Sequence, residues 1–206
     1  MTDLHFIETL GAPTGPLVIT FHGTGGDEMQ LHPLAQQLVP GANVVSPRGQ
    51  VREGGANRFF RRLAEGVYDM DDMARRRDAL GSFIRTLKAR LTPSRVIALG
   101  YSNGANIAAA ISFVAPDLLD DLVLMHPLIP WTPEPQPGLS DRRILVTAGR
   151  HDPICPADQT QGLADWYRAQ GAGVDLLWHD GGHEIRPDEL DRAAEFLRPA
   201  HSHRAE

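Results

Sequence analysis

The sequence predicts an α/β fold: a single domain over residues 1–206, with a mostly parallel central sheet of about seven strands and helices on both faces. Two observations carry that expectation. Short β-branched apolar runs alternate with longer segments of helical period, and no internal repeat or linker divides a chain long enough to bury one continuous core. A hydrophobic content of 42% with 22% charged residues is that of an ordered globular protein, not a disordered one.

Each element has its own signal. Residues 5–9 form a weaker strand candidate, read as an antiparallel edge before a turn at 11–15. Leu17, Val18, Ile19, Thr20 and Phe21 make the first clear strand; a short helix at 30–38 and a strand at 42–46 follow. A long helix is expected over 71–91, with apolar positions at Met73, Leu80, Ile84, Leu87 and Leu91 and Pro93 beyond its end. The strand at 95–99 runs into a helix at 103–113 whose small apolar residues suit burial against a sheet. After the strand at 122–125, five prolines (127, 130, 133, 135 and 137) rule out helix or central strand and predict a loop. A strand at 144–147, a helix at 156–170 ending at Gly171, a strand at 174–178 and a helix at 187–197 complete the chain.

Bulk properties exclude several function classes. A net charge of −6 argues against nucleic acid and anionic membrane as partners, because both demand a basic surface. A lone cysteine allows no internal disulfide and suits a reducing cytoplasm. The N-terminus lacks a basic stretch followed by an apolar one, so no signal peptide is expected, and no apolar run is long enough to span a bilayer.

Chemistry concentrates where strands end. Gly100-Tyr101-Ser102-Asn103-Gly104 lies between a strand and a helix, the setting in which G-x-S-x-G forms a sharp turn that lifts a serine hydroxyl above the sheet. The helix dipole there favours developing negative charge. A serine hydroxyl needs a base, and an imidazole suits that task at neutral pH. Asp152 follows the strand at 144–147, and His183 sits on a Gly-rich loop after the strand at 174–178, giving the chain order serine, acid, histidine. Asp158 is better explained by a helix first turn, Asp180 by a turn, His179 by a strand end and His151 by solvent exposure. The attacked carbonyl needs backbone donors for its oxyanion. Asn103 N–H supplies one, and the Gly-rich loop 22–26 the other, through Thr24 or, failing that, Gly25. That loop lacks both G-x-G-x-x-G and a P-loop lysine.

Taken together, His22-Gly23-Thr24-Gly25-Gly26, Gly100 through Asn106, Gly149-Arg150-His151-Asp152-Pro153-Ile154-Cys155-Pro156 and Gly182-His183 resemble the phospholipase/carboxylesterase branch of the α/β hydrolases, which also holds the acyl-protein thioesterases. Ser46-Pro47-Arg48-Gly49 with Arg58-Phe59-Phe60-Arg61-Arg62 is similar to the small bacterial hydroquinone-resistance-type carboxylesterases. The resemblance implies an α/β-hydrolase fold, the triad Ser102, Asp152 and His183, oxyanion donors at Thr24 and Asn103, no metal or organic cofactor, and a homodimer as a common state. Ser102 counts against dienelactone hydrolases, which generally carry cysteine there, and the short loop 127–138 counts against a lidded lipase.

The expected function is hydrolysis of small or short-to-medium acyl carboxylic esters. A thioesterase or lysophospholipase would use the same groups, and a catalytically inactive ligand-binding scaffold is the reading outside enzymes. Tyr101, Phe59, Phe60 and Trp131 are the candidate substrate-pocket residues. Cys155 reads as a packing residue, Arg75, Arg76 and Arg77 as a solvated helix face, and His201 and His203 as a tail.

Overall fold

A computed structural model describes residues 4–198; His201 and His203 lie outside the described residues. The chain begins with β1 (Phe6–Thr9), β2 (Leu17–Phe21), α1 (His32–Leu38) and β3 (Asn43–Pro47). Two small hairpins follow, β4 (Val51–Glu53) with β5 (Ala56–Arg58) and β6 (Arg62–Ala64) with β7 (Val67–Tyr68). Then come α2 (Met70–Leu91), β8 (Val96–Tyr101), α3 (Asn103–Val114), β9 (Asp121–Met125), β10 (Arg143–Gly149), α4 (Ala157–Ala169), β11 (Gly173–His179) and α5 (Pro187–Leu197).

Seven strands form one sheet in the order β1-β3-β2-β8-β9-β10-β11. Only the edge pair β1–β3 is antiparallel, and the other neighbours are parallel. This is the α/β-hydrolase arrangement, including the antiparallel edge expected at residues 5–9. Because strand side chains alternate faces, β2 sends Leu17, Ile19 and Phe21 to one layer and Val18 to the other. The first layer is closed by Met73, Leu80 and Ile84 of α2, Ile107 and Ile111 of α3, and Leu163 and Tyr167 of α4. The second is closed by Ala35 of α1 and by Ala193 and Leu197 of α5. Burial on both faces is why these strands read as continuous apolar runs.

Boundaries follow local chemistry. The side chain of Asp69 caps α2 by accepting from Asp72 N–H at 3.0 Å, and the helix ends at Thr92 with φ 41°, just before Pro93. Helix α1 starts at His32, later than the expected 30, because Gln30 is held in the preceding loop, where its Oε1 accepts from Gly23 N–H at 2.7 Å. The hairpins between β3 and α2 were not anticipated. Strands of two or three residues are too short to carry a period-two signal.

Candidate active site

The turn between β8 and α3 places Ser102 at φ 52°, ψ −117°, a region that side-chain-bearing residues rarely occupy. The flanking glycines make the turn possible. A Cβ on Gly104 would sit 1.9 Å from the Phe21 carbonyl oxygen, and one on Gly100 would sit 2.7 Å from Ala105 Cα. The bend is held by Ser102 N–H donating to Met125 O at 2.9 Å and by Asn106 N–H donating to Ser102 O at 3.0 Å.

The three residues expected to form the triad meet in one line. His183 Nε2 is 2.8 Å from Ser102 Oγ, and His183 Nδ1 is 2.7 Å from Asp152 Oδ2. A carboxylate accepts, so Nδ1 carries the proton and Nε2 is left to accept from the serine hydroxyl. Asp152 Oδ1 accepts from Ile154 N–H at 2.8 Å and Cys155 N–H at 3.0 Å. Burial would lift this carboxyl, but those N–H groups and its histidine partners outweigh burial and hold it below the usual carboxylate range. The acid and histidine loops touch at Gly149, where a Cβ would lie 2.0 Å from Gly182 O. Tyr101 ties down the histidine loop by donating from its hydroxyl to His183 O at 2.7 Å. Burial and nearby Asp152 push its phenol up to about 12, so it remains a donor.

A cleft of about 300 Å³ opens at Ser102 and His183, with Thr24, Tyr101 and Asn103 on its wall. Gly25 N–H donates to Asn57 O at 2.9 Å, which removes it as the fallback oxyanion donor and leaves Thr24. Thr24 Oγ1 accepts from Arg58 Nη1 at 2.7 Å, and Asn103 Oδ1 accepts from Phe59 N–H at 2.8 Å, so the first hairpin is tied to both candidate oxyanion residues.

Three of the expected pocket residues stand elsewhere. Phe59 and Phe60 are in the core: Phe59 packs on Phe21 and His22, and Phe60 on Tyr68. Trp131 stacks edge-on behind Tyr68 and against Phe113 without reaching the cleft. The two phenylalanines follow the hairpin strand β5 inward, which leaves the cleft to Arg58, Arg62, Glu65, Tyr68, Leu128 and Ile154. A larger groove of about 500 Å³ lies between β1 and α2 and is lined in part by Phe6, Phe59 and Phe83; none of the candidate reacting groups lines it.

Two groups escaped the sequence reading. His126, fully buried with φ 51°, follows β9 and places Nδ1 3.0 Å from Asp152 Oδ2. Glu189, fully buried in the first turn of α5, lies with Oε1 3.1 Å from His126 Nε2. The signal for His126 was its place at the carboxyl end of a strand, the position shared by Ser102, Asp152 and His183. Cys155 is free and buried, its thiol pushed up by burial, as a packing residue should be. His151, Asp158 and Asp180 are exposed.

His126, His179 and Glu189 offer potential metal-ligand atoms within 4.8 Å of one another, as do His126, Asp152 and His183. The hydrogen bonding assigns protons to these atoms. His179 Nδ1 accepts from Gly181 N–H at 3.0 Å, so its proton is on Nε2, the atom facing Glu189 at 3.2 Å. In the second group, both Nδ1 atoms point their protons at Asp152.

The sequence matches the Dienelactone hydrolase family over residues 9–189. It is 37% identical over 186 residues to the putative hydrolase MhqD of Bacillus subtilis (strain 168), covering 89% of this chain and 93% of that protein. Among solved structures, protein Atu2452 of Agrobacterium tumefaciens, of unknown function, is 46% identical with a TM-score of 0.90, covering 93% of this chain and 94% of that one. The Bacillus cereus carboxylesterase is 35% identical with a TM-score of 0.90, covering 95% and 93%.

Proposed function

We propose the following for this chain, which belongs to the dienelactone hydrolase family: it is a serine carboxylesterase acting on small carboxylic esters through Ser102, His183 and Asp152. The family match corrects one expectation. Ser102 does not set the chain outside the group, so serine at this position bears on the chemistry rather than on membership. The observation that carries the proposal is the unbroken line Asp152–His183–Ser102, with its serine end opening onto a cleft. The name of the Bacillus cereus relative supports the reaction type.

In the proposed reaction, His183 Nε2 takes the Ser102 proton as Oγ attacks the ester carbonyl carbon. The oxyanion accepts from the backbone N–H groups of Asn103 and Thr24, each contributing on the order of 3 kcal/mol. The tetrahedral intermediate collapses to an acyl-enzyme as His183 passes its proton to the departing alcohol. Water then attacks the acyl carbonyl with the same base, and the acid and free Ser102 are released. Asp152 fixes the imidazole tautomer and stabilises its cation. No helix among the described residues is long and apolar enough to cross a membrane. A cytoplasmic setting belongs to the same proposal and is supported by the single, unpaired cysteine.

The test is hydrolysis of p-nitrophenyl esters by the wild type and by Ser102→Ala. Loss of about a thousandfold or more in kcat with the fold intact is expected. Activity that survives the substitution would remove Ser102 from the mechanism, and matched thioesters would separate esterase from thioesterase.

A further inference from the structure

Asp152 serves two histidines, and the mechanism above uses only one of them. Its Oδ2 faces His183 Nδ1 at 2.7 Å and His126 Nδ1 at 3.0 Å. Beyond His126 stands Glu189, with no exposure of either side chain. His126 Nδ1 points at a carboxylate and therefore carries a proton. A neutral ring would then leave the bare lone pair of Nε2 buried beside a second carboxylate 3.1 Å away, an arrangement that repels.

The other contacts of Glu189 all come from donors. The Thr147 hydroxyl reaches Oε1 at 2.5 Å, Arg186 N–H reaches Oε2 at 2.6 Å, and the protonated Nε2 of His179 lies 3.2 Å from Oε2. Glu189 is thus surrounded as an anion, and Nε2 of His126 stands beside it at ion-pair distance, buried and without a hydrogen-bond partner of its own among the described residues.

We propose that His126 is a buried imidazolium locked between Asp152 and Glu189, and that it is a positioning residue for the esterase site, holding Asp152 in place and tempering its charge. The inference rests on the triad reading above. The balance at His126 supports it: burial pulls the ring down, but Glu189 and Asp152 together outweigh burial and raise it. Glu189 is likewise held low despite its burial, by His126, Thr147 and Arg186 N–H.

The titratable groups facing His126 and His183 from neighbouring elements are Tyr101, Asp152, Cys155, His179 and Glu189. Tyr101 and Cys155 are both pushed up by burial and stay uncharged at working pH. The His126 ring centre is 5.2 Å from that of His183, close enough for a charge on one ring to act on the other.

His126→Asn and Glu189→Gln test this. Asparagine tolerates the φ of 51° and keeps an amide to donate to Asp152, while glutamine keeps the shape of Glu189 without its charge. The acid limb of kcat/KM should move up by about one pH unit in His126→Asn and by less in Glu189→Gln. His126→Asn should then lose roughly tenfold at about pH 6 and almost nothing at about pH 9. Nitrogen-15 NMR of the wild type, at the pH where hydrolysis is measured, should find both His126 ring nitrogens protonated. That measurement decides the matter if either variant fails to fold.

Given hydrolysis that depends on Ser102, three results would each overturn the inference alone: a limb unmoved in both variants, a loss uniform across pH, or a His126 ring with a single proton. Failure of the triad reading would appear separately, as hydrolysis indifferent to Ser102→Ala, and would take the positioning role with it.

Discussion

Ser102 occupies a backbone conformation that costs on the order of 1–3 kcal/mol for a residue with a Cβ, and the surrounding structure imposes it. The strain aims Oγ at His183 and sets it at the start of α3. Glycine enters this region without penalty, although it loses more backbone entropy on folding. Ser102→Gly should therefore unfold above Ser102→Ala by about 1 kcal/mol, read by denaturant titration, while both lack hydrolysis. Equal stabilities would mean that the elbow stores no strain. His126 shares a positive φ with Ser102, Thr14 and Thr92, and it sits against Asp152.

The loops that carry the site are tied to one another by side chains. Glu28, in the loop after β2, receives Arg48 Nε and Nη2 at 2.5 Å each from the loop after β3, and His5 from the chain before β1 at 3.1 Å. The Arg48 guanidinium is the main cause that lowers the Glu28 carboxyl to about 2, against the pull of burial. Its folded value thus lies below the unfolded value of about 4.3, so its stabilisation is complete above about pH 4.3 and fades as pH falls toward about 2. Glu28→Gln should lower the melting temperature at neutral pH, and its difference from the wild type should shrink across that acid window. A constant difference would assign the effect to packing instead. The same loop holds Thr24, so the variant should also slow hydrolysis severalfold.

The parallel strands of the sheet deliver their carboxyl ends to one side, and with them Thr24, Ser102, His126, Asp152 and His183 from five separate loops. The two hairpins before α2 bring Arg58, Arg62, Glu65 and Tyr68 to the same edge and limit the cleft to about 300 Å³. That volume lies at the small end of ligand sites. Hydrolysis should peak at acetate or butyrate among p-nitrophenyl esters and fall by roughly tenfold or more at octanoate. Leu128→Ala, which trims the wall, should move the optimum to longer chains. An optimum at dodecanoate in the wild type would contradict the small cleft.

The strands, the serine elbow and the loop positions of Asp152 and His183 were legible in the amino-acid sequence because each rests on a local rule. Apolar runs bounded by turns make buried strands, glycines two residues either side of Ser102 permit one sharp bend, and the ends of successive parallel strands share one edge of the sheet. Thr24 could be named on the same grounds, although only the bond from Gly25 N–H to Asn57 O separates it from Gly25. What surrounds the reacting groups was not local. Phe59 and Phe60 look like pocket aromatics in sequence, yet their destination depends on which way a three-residue strand turns, and they fill the core. His126 and Glu189 are separated by about sixty residues, and their proton is assigned only when β9 and α5 are packed with water excluded between them. Local propensity determined where Ser102, Asp152 and His183 would stand; long-range packing decided the shape of the cleft and what lies behind Asp152.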